Sequence, residues 1–314
     1  MALKKSKENK FGRVGVLMGG PSSEREISLK SGKAVYAALK ESGIEVSAID
    51  IQTDNVEENI RLLKSKKIDC AFLALHGRFG EDGSMQQILE DIKIPYTGSG
   101  VSASRLAMDK IASRKIFQDH GLKVPQYEVV KGNADWEMDS DFVFPLVVKP
   151  ATHGSSIGLS IVDKKEYLEE AVNLAFSFDH KVIIEEYIEG REVTVGILEE
   201  KPLAVIEIIS KRRFFDYEAK YQAGMTDYVV PAKIEKKLSG KIQDMALLAH
   251  KLLGCSGCSR VDIILDKYNI PFILEVNTIP GMTETSLLPK AAKIEGISFN
   301  ALCIKLIRLA YEKK

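Results

Sequence analysis

The run Ser259-Arg260-Val261-Asp262-Ile263-Ile264-Leu265 is followed by Asp266-Lys267-Tyr268-Asn269 and then by Ile270-Pro271-Phe272-Ile273-Leu274-Glu275-Val276-Asn277. Two strand-like runs around a polar break predict a β-hairpin. Folding that hairpin about its midpoint sets Asp262 opposite Glu275. Side chains on a strand alternate faces, so Arg260 and Asp262 share one face of the first strand, and Glu275 and Asn277 share one face of the second. Carboxylates directly opposite one another repel, and a hard divalent cation between them reverses that sign. Two carboxylates and an amide oxygen suit Mg²⁺, which also takes ligands from substrate phosphates. An arginine beside such a cluster is placed to neutralise phosphate oxygens. The plain alternative is a solvated hairpin face, which requires three ligand-type residues and an arginine to converge by chance.

Working back along the chain, Phe144 to Pro150 ends an apolar strand on Lys149, and the small-residue loop Ala151-Thr152-His153-Gly154-Ser155-Ser156-Ile157-Gly158 follows at once. Such a loop offers backbone N–H groups and the Ser155 and Ser156 hydroxyls to phosphate oxygens, and its glycines allow close approach. With strands on both sides it would fold over a nucleotide as a lid; the alternative is a plain hairpin loop. It is neither a P-loop nor a GxGxxG fingerprint. Lys181 to Ile188 is a strand that leaves into Glu185-Glu186-Tyr187-Ile188, able to meet an adenine edge through its main chain, and Glu192 would take ribose hydroxyls. An ordinary interdomain connection explains the same residues. Phe214 to Ala232 is rich in Tyr and Lys and too polar for core; long irregular loops of this kind are usually functional, and Lys220 and Tyr221 would cover a polar site. After the hairpin, Asn277 to Leu287 carries Gly281, whose N–H beside a metal would serve an oxyanion hole. Ser286 and Leu287 open a helix whose N-terminus can take a carboxylate. An ordinary strand-to-helix turn is the alternative there.

A chain of 314 residues prompts two or three domains. Its 45% hydrophobic and 28% charged composition is that of a globular protein, and a formal net charge of zero lacks the basic footprint of a nucleic-acid binder. The Lys-rich opening lacks the apolar core of a signal peptide, and no apolar run approaches the roughly 18 residues of a membrane span, so a cytoplasmic enzyme is expected. Cys255-Ser256-Gly257-Cys258 is a lone CxxC without a second pair at zinc spacing; structural thiols are the expectation. The first segment alternates: strand 11–18, helix 27–42, strand 45–51, helix 56–64, strand 69–75, helix 84–92. That order predicts a parallel sheet with helices on both faces, and ligands at the carboxyl ends of its strands. Gly19 to Glu24 and His76 to Gly83 lie there. A boundary falls at Thr97-Gly98-Ser99-Gly100. One helix is predicted over 102–120, then strands 126–130, 144–148, 159–162 and 181–186, with a helix over 164–175. Strands 193–198 and 203–209, a long irregular stretch, a helix over 239–253, the hairpin and a helix over 299–311 complete the chain.

These pieces, in this order, resemble the ATP-grasp superfamily and, within it, the D-alanine–D-alanine ligases. The resemblance runs from about Arg13 to Leu309. It rests on Gly19-Gly20-Pro21-Ser22-Ser23-Glu24-Arg25-Glu26-Ile27-Ser28, His76 to Gly83, Tyr96 to Gly100, Met108-Asp109-Lys110, Val148-Lys149-Pro150 with its serine loop, Glu218-Ala219-Lys220-Tyr221, Arg260-Val261-Asp262, Glu275 to Thr278 and Pro280-Gly281-Met282-Thr283. It implies a three-domain fold mixing α/β and α+β: a Rossmann-like parallel-sheet domain over 1–98 and two α+β domains, 99–188 and 189–314, that clasp ATP. It implies ATP-dependent joining of two D-alanines through a D-alanyl phosphate, for peptidoglycan synthesis. ATP, two Mg²⁺ (with Mn²⁺ as a substitute), two D-alanine molecules and a homodimer belong to the same expectation.

By that analogy, Asp262, Glu275 and Asn277 hold the metals. Arg260 and the Gly281 N–H face the oxyanion. Lys110, Lys149 and Lys220 balance phosphate charge. Ser155, Ser156, Glu185, Glu186, Tyr187, Ile188, Glu192 and Phe214 form the nucleotide pocket. Glu24 pairs with the ammonium of the first D-alanine, with Ser28 and His76 beside it, and Ser155 and Tyr221 link to Glu24 across the lid. Ser286 and Leu287 take the second carboxylate. Tyr221, where ester-forming relatives are expected to carry Phe, favours an amine over a hydroxy acid as second substrate. The rivals are a D-alanine–D-lactate ligase or another ATP-grasp carboxylate–amine ligase, a non-catalytic nucleotide-binding protein, and a dinucleotide-dependent oxidoreductase suggested by Gly19-Gly20.

Overall fold

A computed structural model describes residues 11–132, 142–154, 156–211 and 225–313. Its first part runs β1 (Val14–Gly19), α1 (Arg25–Glu41), β2 (Val46–Ile51), α2 (Val56–Lys66), β3 (Cys70–Leu73) and α3 (Ser84–Asp91). The strands are parallel in the order β2-β1-β3. β1 is buried along its whole length, as a central parallel strand covered on both faces must be. Val14, Val16 and Met18 pack towards Val35 and Leu39 of α1, while Leu17 packs with Leu63, Met85 and Leu89 of α2 and α3. The expected β-α-β-α-β unit is present, and its strands end at the Gly19–Glu24 and His76–Gly83 loops.

The predicted helix over 102–120 is two helices, α4 (Val101–Met108) and α5 (Lys110–Asp119). Asp109 breaks it. Its backbone is extended (φ −81°, ψ 98°), and its carboxylate accepts from Ile111 N at 2.9 Å and Ala112 N at 3.0 Å. Aspartate favours this capping role because its short side chain competes for backbone donors. The break sends Lys110 towards the centre of the molecule, where its N–H donates to Ala151 O at 3.1 Å.

β4 (Tyr127–Lys131), β5 (Leu146–Pro150), β6 (Ser160–Val162) and β7 (Lys181–Glu186) form an antiparallel sheet in the order β4-β7-β5-β6. A short 3-10 turn, Lys165–Tyr167, opens the expected helix, so α6 proper is Leu168–Phe176 and covers this sheet with Leu168, Val172 and Ala175. A third sheet comprises β8 (Gly190–Leu198), β9 (Lys201–Ser210), β10 (Thr226–Val229), β11 (Cys258–Asp266) and β12 (Pro271–Asn277), in the order β10-β9-β8-β11-β12. β10 lies in the stretch expected to be irregular. α7 (Lys236–Leu252) packs Ile242, Ala246 and Ala249 onto one face, against Val261, Ile263 and Val276. α8 (Leu287–Ile294) and α9 (Phe299–Glu312) bury Leu288, Ala291, Leu306 and Ile307 in a core that also holds Leu198 and Ile206 of the third sheet and Val35 and Leu39 of the first part. The first and third sheets therefore share one core.

Candidate active site

The hairpin closes in the expected register: Arg260 faces Asn277, Val261 faces Val276, and Asp262 faces Glu275, with a bulge after Asp262. Val261 and Val276 point into the core under α7, which leaves the polar set on the opposite face. Arg260 grips Asp262 bidentately, Nε to Oδ1 at 2.8 Å and Nη2 to Oδ2 at 2.7 Å. Thr194 Oγ1 of β8 donates to Asp262 Oδ1 at 2.6 Å. Lys110 Nζ, almost fully buried, lies 3.3 Å from Glu275 Oε2 and donates to His153 O at 2.7 Å. Asn277 Oδ1 accepts from Ile279 N at 2.9 Å. Each of the two opposed carboxylates thus holds a cationic side chain, as the repulsion between them requires.

The facing wall belongs to the central sheet. Lys149 Nζ of β5 sits 2.6 Å from Glu185 Oε1 of β7, and Arg114 Nη1 of α5 sits 2.5 Å from Glu185 Oε2. Burial pushes the Lys149 ammonium down to about 8. Burial would push the Glu185 carboxyl up, but Arg114 and Lys149 together hold it below the usual carboxylate range. Between the two walls lies a cleft of about 1010 Å³, counting its open mouth. Lys110, Lys149, Ser156, Glu185, Glu186, Tyr187, Ile188, Glu192, Asp262 and Glu275 all line it, among apolar Val147, Ile161 and Leu274. An apolar slot with convergent polar groups is the usual form of a small-molecule site.

Of the other predicted residues that the structure describes, Glu24 and His76 lie at the ends of the first-sheet strands, and Gly281, Ser286 and Leu287 at the turn into α8. Glu24 is buried at the start of α1. Its carboxylate lies so close to Gly77 that a Cβ there would meet Oε2 at 2.7 Å, and a Cβ on Gly154 of the serine loop would stand 3.5 Å away. Glu24 therefore lies where the His76 loop meets the serine loop. His76 Nε2 is 2.9 Å from Ser31 Oγ, and its Nδ1 is 3.3 Å from Glu81 Oε1. Ser31 Oγ also accepts from Met282 N at 3.3 Å, which ties the His76 loop to the Pro280–Thr283 turn. Ser28 Oγ donates to Ala74 O at 2.7 Å, so its hydroxyl is engaged within the first sheet. Ser286 stands at the N-cap of α8, yet its Oγ turns back to accept from Thr283 N at 3.1 Å. A Cβ on Gly281 would come 3.0 Å from that Oγ. The Leu287 side chain is buried in the core, so only its main chain is available to a ligand.

Ser155, Phe214, Lys220 and Tyr221 lie outside the described residues. Arg114, Ser31 and Thr194 escaped the sequence reading. For Arg114 a signal existed, since it stands at i+4 from Lys110 on one helix face. Cys255 and Cys258 are free thiols, pushed up by burial to about 11 and about 12, which leaves them unreactive. No helix among the described residues is long and apolar enough to cross a membrane.

Two family models match the chain, "D-ala D-ala ligase C-terminus" over residues 116–308 and "D-ala D-ala ligase N-terminus" over residues 13–60 and 54–99. The D-alanine–D-alanine ligase of Pelotomaculum thermopropionicum is 49% identical over 312 residues, covering 96% of this chain and 97% of the relative. The chain belongs to the D-alanine–D-alanine ligase family. The enzyme of that name from Geotalea uraniireducens is 46% identical over 304 residues, with 96% and 97% covered. Among solved structures, D-alanine–D-alanine ligase from Bacillus anthracis complexed with ATP superposes with a TM-score of 0.85 at 35% identity, covering 96% of this chain and 98% of the other. The ligase family thus accounts for the three sheets and for the cleft between two of them.

Proposed function

We infer that the chain joins two D-alanine molecules at the expense of ATP, giving D-alanyl-D-alanine, ADP and phosphate. The observation that carries this reading is the cleft between the second and third sheets. Its two walls bring Lys149 and Glu185 to face Asp262 and Glu275, and the Glu24–His76 cluster opens beside it. ATP lies in the cleft with its adenine on Glu186 to Ile188, its ribose at Glu192 and its phosphates towards Lys110, Lys149 and the serine loop. The first D-alanine sits with its ammonium at Glu24 and its carboxylate towards the γ-phosphate. A carboxylate oxygen attacks the γ-phosphorus, the bond to the β-phosphate oxygen breaks, and ADP leaves. The amine of the second D-alanine, its carboxylate at the Ser286 hydroxyl and the α8 N-terminus, then attacks the acyl carbon. The developing oxyanion is met by Arg260 and the Gly281 N–H. The tetrahedral species collapses with loss of phosphate, which carries off the proton given up by the amine nitrogen.

Asp262, Glu275 and Asn277 suit two Mg²⁺ ions: hard oxygen donors on adjacent strands, with the carboxylates already drawing Arg260 and Lys110 as counter-charges. Bound there, such ions would neutralise phosphate charge.

Phosphate release from ATP with D-alanine, L-alanine, or D-alanine plus D-lactate tests the reading, with products identified by mass. Release with D-alanine alone, yielding the dipeptide, is expected; turnover only with another carboxylate–amine pair overturns it. Asp262→Ala and Glu275→Ala are expected to lose at least about 10²-fold in rate. Near-normal activity in both removes the metal assignment.

A further inference from the structure

Arg114 is 1% exposed and lies behind the cleft wall rather than on it. Its guanidinium stacks 5.1 Å over the Tyr127 ring, and Nη1 stands 2.5 Å from Glu185 Oε2. Among the described residues Glu185 Oε2 is thus its one close anionic contact, and the rest of the guanidinium finds no well-aligned hydrogen bond. A buried group left in this state is costly. Buried ion clusters of this kind are also poor sources of stability compared with apolar packing. Stability therefore does not account for an arginine here, whereas charge does. Glu185 and Lys149, paired alone at 2.6 Å, would cancel and offer a polyanion nothing. With Arg114 sharing the carboxylate, the cluster of two cations and one anion keeps a net positive charge. The ammonium that faces the cleft is then not spent on Glu185.

We propose that Arg114 is a positioning residue for the nucleotide: by holding the far oxygen of Glu185, it frees Lys149 to engage the bound phosphates and fixes where that ammonium sits. The proposal rests on reading the cleft as the ATP site. It separates Arg114, which touches no substrate, from Lys149, which does. The i, i+4 relation to Lys110 makes α5 a single device. One turn delivers Lys110 to Glu275 of the third sheet, and the next delivers Arg114 to Glu185 of the second.

The test is steady-state kinetics on Arg114→Met, Arg114→Lys, Glu185→Gln and the Arg114→Met/Glu185→Gln pair, with melting temperatures for each. Arg114→Met is expected to raise KM for ATP by roughly tenfold or more while leaving KM for D-alanine within about twofold. Arg114→Lys, which keeps the charge, should recover most of that loss. In the Glu185→Gln background, removing Arg114 should change KM for ATP less than about twofold, because no anion remains to be shared. Arg114→Gln, neutral but still polar, serves the same purpose where the methionine variant does not fold. An unchanged KM for ATP in the folded Arg114 variants overturns the proposal, as do effects that simply multiply in the double variant. If Lys149→Ala and Glu185→Gln also leave KM for ATP untouched, the cleft assignment itself has failed; if those two raise it and the Arg114 variants do not, only the role of Arg114 has.

Discussion

Lys149 and Gly77 each turn a local property into a measurable one. Burial pushes the Lys149 ammonium down to about 8, so the free enzyme carries this cation below that value and loses it as pH rises through it. kcat/KM for ATP, which reports the free enzyme, is therefore expected to fall on the alkaline side with an apparent value near 8. Lys149→Ala should lower it at all pH and erase that limb; a limb that survives in the variant would assign it elsewhere. Gly77 has φ of +76°, and a Cβ there would strike Glu24 Oε2 at 2.7 Å. A positive φ is strained for any side chain, and the clash would push Glu24 from its place. Gly77→Ala is expected to raise KM for D-alanine severalfold while KM for ATP holds, since Glu24 lies outside the nucleotide cleft. Equal changes in both constants would place Glu24 elsewhere in the reaction. Gly77 was legible as part of a loop at a strand end, but its contact with Glu24 was not, because the two residues lie far apart in the chain.

At the scale of elements, the hairpin was the most legible part of the chain. Strict alternation between Arg260 and Asp262, and between Glu275 and Asn277, fixes both faces and the register, and the pairing of Asp262 with Glu275 follows from the turn alone. The break between α4 and α5 was not legible, because apolar residues keep helical spacing straight through Asp109. What decides it is tertiary: Lys110 N–H finds Ala151 O, and Asp109 caps two amides of the next helix. β10 escaped for another reason. Thr226–Val229 is a short edge strand with polar residues, and only its pairing with β9 makes it a strand. The cap carries a prediction. Asp109→Ala removes both cap bonds and should cost about 0.5–2 kcal/mol of stability. By loosening the start of α5 it should also raise KM for ATP. Melting temperature and KM measured together check this, and a lowered melting point with unaltered KM would mean that Lys110 is held in place by its other contacts.

The whole molecule is tied from end to end. α9 buries Leu302, Leu306 and Ile307 in the same core as Val35 and Leu39 of α1 and Met18 of β1, so the first sheet depends on the far end of the chain. Each such side chain is worth about 1.5–3 kcal/mol, and three of them rival the roughly 5–15 kcal/mol that holds a typical domain. A chain cut before Phe299 is expected to lose cooperative unfolding and to expose the first-sheet amides to rapid hydrogen exchange. A truncated chain that keeps native protection in β1 and β3 would refute the shared core. The α/β first part was legible because strands and helices alternate with clear periods; its dependence on α9 was not, since no sequence pattern names which element covers a given face. The same long-range closure brings Glu24 beside the His76 and serine loops, and in the inferred reaction a carboxylate is phosphorylated before it is joined to an amine. Turnover of D-alanine bearing ¹⁸O in its carboxylate, with the released phosphate analysed by mass, tests this most directly. Each D-alanyl-D-alanine formed is expected to be matched by one phosphate carrying a single oxygen from the labelled carboxylate. Dipeptide formed with unlabelled phosphate, or ATP consumed with no dipeptide at all, would contradict it.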